Sequence, residues 1–443
     1  MDNEHLSRDL FRAIAARKLK PSALVDLGFA HLLELCPTCR REFEAWQEEH
    51  GTDGKTLEYS RVFTAAVVKL EGDLTHFARE ERAAARDLER LIELPREERK
   101  AAVDRARTHF RGPHLARLLL KESQAQVTLN TQEAYHLAEL ARDVLNRSPA
   151  SRMGYDLLAL SAGHMANARR AAGALREADS HFAFVRFLMN REPVADIETL
   201  ARIDELEGSL RKDQRRLAEA EELLRRAAKM YRTTRNPTAE GRALVNLGLV
   251  LSDKGDPGRA IKTTETALEK LAARRDSRLY LCARYNLAYF EFLSGAPDRA
   301  EEILETDAPL YAGHQEPSIA LRKLWLEGNI AEARGETETA EEHYLRTREG
   351  FLAEGIGYDA AMVSMDLTLL YLASGRTSEV RRLAEEMYPI FEAEDVHREA
   401  LAALMLFQEA ARQEELTAAA VREVARYLRD ARNDPEYRFR IPS

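Results

Sequence analysis

Residues 240–410 repeat one phrase. Gly248, Ala288, Gly328 and Thr368 stand 40 residues apart, and seven places after each comes a glycine, Gly255, Gly295, Gly335 or Gly375. Twelve places after each leader is a small or branched apolar residue, Ala260, Ala300, Ala340 or Val380. Two places after each glycine stands Pro257, Pro297, Thr337 or Thr377. Self-similarity at a period of ~20–50 residues constrains a fold more than any single motif, because every copy must solve the same packing problem. Leu244, Leu247 and Leu251 lie at three- and four-residue steps, which puts one apolar stripe on a helix. The glycine frees the backbone to end that helix. Asp256 then suits an N-cap and Pro257 the first position of a second helix. Ala260 and Ala267 let the second helix lie close against the first. One such hairpin cannot cover its own apolar face, so neighbours must stack.

The same register extends in both directions. Stepping back gives Gly208, followed by Ala220, Leu224 and Ala227, and stepping forward gives Gln408, followed by Ala420 and Val424. Looser copies run from Leu157 through Gly173, Ala178 and Phe182, and from Leu118 through Ala134 and Ala141. On the small-residue pattern of NLGLVLSDKGDPGRAIKTTETAL and WLEGNIAEARGETETAEEHYL, the series resembles tetratricopeptide (TPR) repeats. Those units are commonly ~34 residues long, so the period here implies longer helices.

The resemblance implies an all-α, right-handed superhelical solenoid of about eight TPR-like hairpins over residues 113–432, with 433–443 as an extended tail. It also implies that the first helix of each hairpin lines a concave groove for a protein or peptide. In that register Arg242, Asn246, Tyr285, Asn286, Tyr289, Arg322, Trp325, Asn329, Met362, Met365 and Asp366 point inward. Asparagine amides both donate to and accept from a bound backbone. Aromatic, Met and Arg side chains are favoured at interfaces. For Tyr285, Trp325 and Met365 the alternative is packing between adjacent hairpins. The lysine-and-asparagine set of the TPR clamp for acidic carboxy-terminal peptides is not found.

The chain has 443 residues, more than one core usually supports, which fits a solenoid or several domains. Its 66 basic and 75 acidic residues are finely mixed, giving a net charge of −9 and no basic block for nucleic acid. No stretch approaches the ~18 apolar residues of a membrane span, and MDNEHLSRDL does not read as a signal peptide. With three cysteines, two of them in a C-x-x-C, a disulfide framework is not expected. The expected location is the cytoplasm.

Residues 1–50 read as a separate small helical module. Leu6, Leu10, Phe11 and Ile14 have helical spacing, and Pro21 and Ser22 open a second helix through Leu24, Leu27 and His31. HLLELCPTCRREF follows, with Cys36 and Cys39 two residues apart. Thiolates at that spacing face one zinc ion, and His31 and His5 supply nitrogens for a closed, structural site. A module this small would draw much of its folding free energy from the metal. Two other readings stay open, a redox pair and plain apolar filler. The stretch resembles the zinc-binding anti-sigma module, His-x3-Cys-x2-Cys with a further ligand upstream. His31, Cys36 and Cys39 match its signature and His5 its upstream ligand, although four residues separate His31 from Cys36. The resemblance implies a grip on a sigma factor.

Residues 51–112 read as a linker and capping helices, with Phe63, Val67, Leu70, Leu74 and Phe77 on one face and Pro95 between two helices. They cover the first repeat or hold a partner. No nucleophile elbow, phosphate loop or His-x3-His occurs, and the glutamate-rich stretches alternate with arginine as ordinary i, i+4 pairs. The sequence therefore predicts a non-enzymatic protein-binding regulator, with control of a sigma factor as its sharpest form. The alternatives are a peptide-sensing TPR receptor and a scaffold for a neighbouring protease or kinase.

Overall fold

A computed structural model describes residues 77–393 apart from 276 and 315, isolated positions in 38–45 and 405–411, and residues 416–431. His5, His31, Cys36, Cys39 and the tail at 433–443 lie outside the described residues. The chain divides into two compact units, 1–90 and 91–443. Of the first, residues 77–90 are helical. The expected linker-and-cap stretch at 51–112 thus straddles the division.

The second unit is a run of helices with no strand among the described residues. It begins with α1 (Arg96–Arg105). The hairpins α2 (Pro113–Gln126) and α3 (Thr131–Asn146), α4 (Arg152–Ala171) and α5 (Leu175–Arg191), and α6 (Ile197–Asp213) and α7 (Leu217–Thr233) follow. Then come α8 (Pro237–Asp253) and α9 (Pro257–Lys270), and α10 (Arg278–Leu293) and α11 (Pro297–Thr306), with the short α12 (Ala308–Ala312). The series continues with α13 (Pro317–Ala333) and α14 (Thr337–Ala353), α15 (Gly357–Ala373) and α16 (Thr377–Ala393), and finally α17 (Ala418–Ala431). From α2 to α11 and from α13 to α16 each helix packs on the next along the chain, α1 packs on α3, α11 on α13 and α17 on α15, and first helices also meet the first helix of the following hairpin, as α4 meets α6 and α8 meets α10. This is the serial stacking expected when no hairpin can bury its own stripe.

Local chemistry explains the punctuation. Asn130, Ser151, Asp196, Asn236, Asp256 and Ser277 each cap a helix by accepting a hydrogen bond from the backbone N–H three residues on. Pro113, Pro237, Pro257, Pro297 and Pro317 stand in first turns, where a missing N–H costs nothing. Gly255, Gly295, Gly335 and Gly375 sit at φ of +78°, +87°, +77° and +69°, and at Gly255 the following N–H, that of Asp256, reaches back to Leu251 O at 3.0 Å. That closes the first helix of the hairpin in the Schellman manner. One repeat earlier the same left-handed position is held by Arg215 at φ +58°, so the turn persists without its glycine.

The leading glycine of each phrase marks a close approach. A Cβ on Gly328 would lie 2.8 Å from Cε1 of Tyr344 and one on Gly248 2.6 Å from Oγ1 of Thr264. Sixteen residues on from each leader the partner varies with it: glycine faces Tyr344 or Thr264, while Thr368 stands opposite Ala384 in the register. Tyr344 cannot easily move aside, because its hydroxyl lies 2.8 Å from Asn329 Oδ1 and 2.6 Å from Glu332 Oε2. Gly328→Ala should therefore lower stability by about 1 kcal/mol in urea unfolding, overpacking outweighing the gain in helix propensity. A stabilised variant would show that α13 and α14 are free to separate.

Candidate inner binding face

The first helices place one stripe of side chains on a common face, and its character changes along the solenoid. Across α6 and α8 the stripe is charged and closed in. Arg242 Nε donates to Glu205 Oε1 at 2.6 Å and its Nη2 to Oε2 at 2.9 Å. Arg202 Nη1 lies 3.0 Å from Glu205 Oε2, and the Tyr231 hydroxyl, from α7, donates to the same oxygen at 3.1 Å. The Glu205 side chain is 2% exposed. Burial alone would raise its pKa, but the two guanidiniums hold it at about 2. Beside them His164 of α4 is buried, and desolvation with the nearby Arg202 and Arg242 pushes its pKa down to about 3, so it is neutral. Arg202 Nε is buried with no partner among the described residues.

Across α8 and α10 the stripe turns aromatic and amide-rich. The rings of Tyr285 and Tyr289 stack with centroids 6.5 Å apart and planes within 2°. Both are half-buried, and burial pushes both phenols above their usual range. Asn286 follows Tyr285 on α10 and Asn246 stands one period earlier on α8, both half-buried and without a side-chain hydrogen bond among the described residues.

Across α13 and α15 the stripe is partly committed. Trp325 meets Phe351 edge-on at 6.1 Å and its Nε1 donates to Asp366 Oδ2 at 2.7 Å. Asn329 is engaged by Tyr344, and Arg322 Nη2 donates to Asp359 Oδ2 at 2.7 Å. Burial lifts Asp366 to about 7, against the Trp325 hydrogen bond and the Arg429 charge and with help from Glu332. Met362 and Met365 are 4% and 0% exposed, in a core cluster that also holds Val421 and Leu428 of α17. The structure thus gives these two methionines to packing rather than to a surface. The reason is α17, which packs on α15 and whose Leu428 carbonyl accepts the Tyr358 hydroxyl.

Of the eleven residues placed inward by the register, Asn246, Tyr285, Asn286 and Tyr289 form one patch, and Arg242 and Arg322 are tied to carboxylates of neighbouring helices. Arg202 and Glu205 were missed, although Arg202 stands one period before Arg242. Arg429 was missed because it approaches from α17 and carries no repeat signal. Among the described residues, no group of three or more His, Cys, Asp or Glu side chains could hold a metal, and no helix is long and apolar enough to cross a membrane.

No family model matches the chain, and no curated protein sequence is significantly similar to it. Solved structures are similar in fold. A Rap protein complexed with competence and sporulation factor aligns with a TM-score of 0.57 at 12% identity, over 71% of this chain and 86% of that one. The apo form of RapI aligns with a TM-score of 0.53 at 11% identity, over 70% and 87% of the two chains. At that identity the likeness speaks for the fold, an all-helical TPR-like solenoid.

Proposed function

We propose that the chain is a non-enzymatic regulator that binds a protein or peptide on the inner face of its solenoid. The observation that carries this is the patch on α8 and α10, where Asn246 and Asn286 keep unused amides beside the stacked Tyr285 and Tyr289. Half-buried amides without partners are costly unless water or a ligand meets them. A peptide backbone satisfies both their donors and their acceptors, and the rings offer rigid apolar area beside them. Arg242 and Arg322, the charges on the same stripe, are already paired within the protein, so the middle of the patch suits an extended, weakly charged segment. The likeness to a Rap protein solved with a bound factor supports the peptide-sensing version of this reading.

Affinity for a partner recovered with the full chain tests it. Asn286→Ala with Tyr289→Ala should weaken binding by about 2–4 kcal/mol, measured by calorimetry, because hot spots centre on such aromatic residues. Unchanged affinity would move the interface elsewhere.

For the N-terminal stretch, the donor set His5, His31, Cys36 and Cys39 supports a structural zinc ion and, through the anti-sigma resemblance, a sigma factor as partner. Purified protein should carry about one zinc per chain and lose it in Cys36→Ser with Cys39→Ser. A metal-free wild type would leave the redox and filler readings. Sigma control is abandoned if a sigma factor is not recovered and residues 1–110 prove dispensable for partner binding.

A further inference from the structure

The last turns of α17 share the lining of one cavity with the C-terminal ends of α6 and α8. A cavity of about 340 Å³ opens there between α6, α8, α10 and α17. Four basic side chains, Lys212, Arg215, Arg426 and Arg429, line it with two acidic ones, Asp213 and Asp253, and with Tyr289.

Basic residues at helix C-termini have an ordinary explanation, since each helix end carries a partial negative charge. That explanation covers part of the set. Asp213 is engaged by Lys212 at 2.9 Å and by Arg170 Nη1 at 2.6 Å; burial works against its ionisation, but these two cations hold its carboxyl below the usual range. Arg215 lies 3.5 Å from Asp253. Arg429 gives only its Nε–H, to Ala425 O of its own helix at 3.2 Å. Neither of its Nη groups has a hydrogen-bond or ion-pair partner among the described residues, and the Tyr289 hydroxyl has none either. Asp366 and Glu332 are engaged by Trp325 and Tyr344, and the Arg429 charge acts on Asp366 from beyond ion-pair distance.

We infer that this cavity binds an anionic group, a carboxylate or a phosphate, held by the Arg429 guanidinium with the Tyr289 hydroxyl as second donor. A planar guanidinium with both Nη groups open presents a fork that fits two oxygens of such a group. The inference deepens the proposed reading of the inner face, since Tyr289 belongs to both the aromatic patch and the cavity. A ligand lying along α8 and α10 with an acidic end would place that end here. Because Arg429 stands on α17 and Tyr289 on α10, such a ligand would also fasten the end of the solenoid across its own inner face.

The test titrates the full chain with inorganic phosphate and, separately, with succinate, each against sodium chloride at matched ionic strength, following thermal unfolding. Saturable stabilisation beyond the chloride control is expected, since an anion bound only by the folded state raises its melting temperature by mass action. Arg429→Gln should weaken the apparent affinity about tenfold, and Tyr289→Phe should weaken it by less. Arg346→Gln, an exposed arginine on α14, should leave it unchanged. Response to succinate alone assigns a carboxylate ligand, and response to phosphate alone a phosphorylated one. Equal response in wild type and Arg429→Gln, or none beyond chloride, overturns the inference. Neither probe needs a peptide, so anion binding with no effect of Asn286→Ala on partner affinity would remove the proposed function and leave this site standing.

Discussion

Glu205→Gln should destabilise the protein by about 3–5 kcal/mol, because it leaves two arginines facing each other without their shared counter-charge in a closed site. Arg202 and Arg242 are held by this one carboxylate, and Tyr231 donates to it as well. Water cannot readily replace it, since the side chain is 2% exposed. Replacing the whole cluster by apolar groups is a different matter. Arg202→Met, Glu205→Leu and Arg242→Met together should recover most of the loss, as buried ion clusters contribute little net stability over well-packed hydrophobic residues. The same carboxylate predicts an acid limb. Its folded pKa of about 2 lies below its ordinary 4.5, so its contribution is present above 4.5 and is lost as pH falls toward 2. Urea unfolding at pH 7 and pH 3 checks both points, and a loss below about 1 kcal/mol in Glu205→Gln would mean that solvent reaches the cluster.

Asp366→Asn should act in the opposite sense and with a different pH window. Burial raises the Asp366 pKa from 3.8 to about 7, so the folded state holds a proton that the unfolded state has released. Wild-type stability should therefore fall as pH rises from about 4 to 7 and stay at the lower level above that. The groups that set this value come from three helices: Trp325 and Glu332 of α13, Arg429 of α17, and Asp366 itself on α15. Asparagine keeps an oxygen for Trp325 Nε1 and has no charge to bury. The variant should lose the slope and be more stable than wild type at pH 8 by on the order of 2 kcal/mol. Trp325 fluorescence should titrate near pH 7 in wild type and remain flat in the variant. A wild-type stability profile that rises between pH 4 and 7 would show that Arg429 outweighs burial.

The repeats were legible because each hairpin faces the same local problem. Gly255 and Gly335 are forced by left-handed turns, Asp256 by an orphaned N–H, and Ala260 and Ala340 by the approach of two helices. Where the structure solves the problem differently, the signal fades, as at Arg215, which takes the left-handed turn at some cost in strain. The inner face was legible only as a register. Spacing puts Tyr285 and Tyr289 one helical turn apart, and they stack. It could not show that Met362 and Met365 would be covered, because their cover is α17, a contact set by the path of the whole solenoid. Arg202 and Glu205 were within reach of the 40-residue step. The register reaches back through Gly208, Ala220 and Ala227, but spacing alone does not show that Arg202 and Glu205 close into a buried cluster with Arg242.

In the proposed function a partner meets the inner face of the first helices. Site-specific photocrosslinking tests this most directly, with a benzophenone side chain placed singly at Asn246, Asn286 or, on the second-helix side, Glu342, which is exposed. Covalent adducts to the same partner from Asn246 and Asn286, and none from Glu342, are expected. Adducts from Glu342 with none from the two asparagine positions would place the partner on the outer helices and contradict the account.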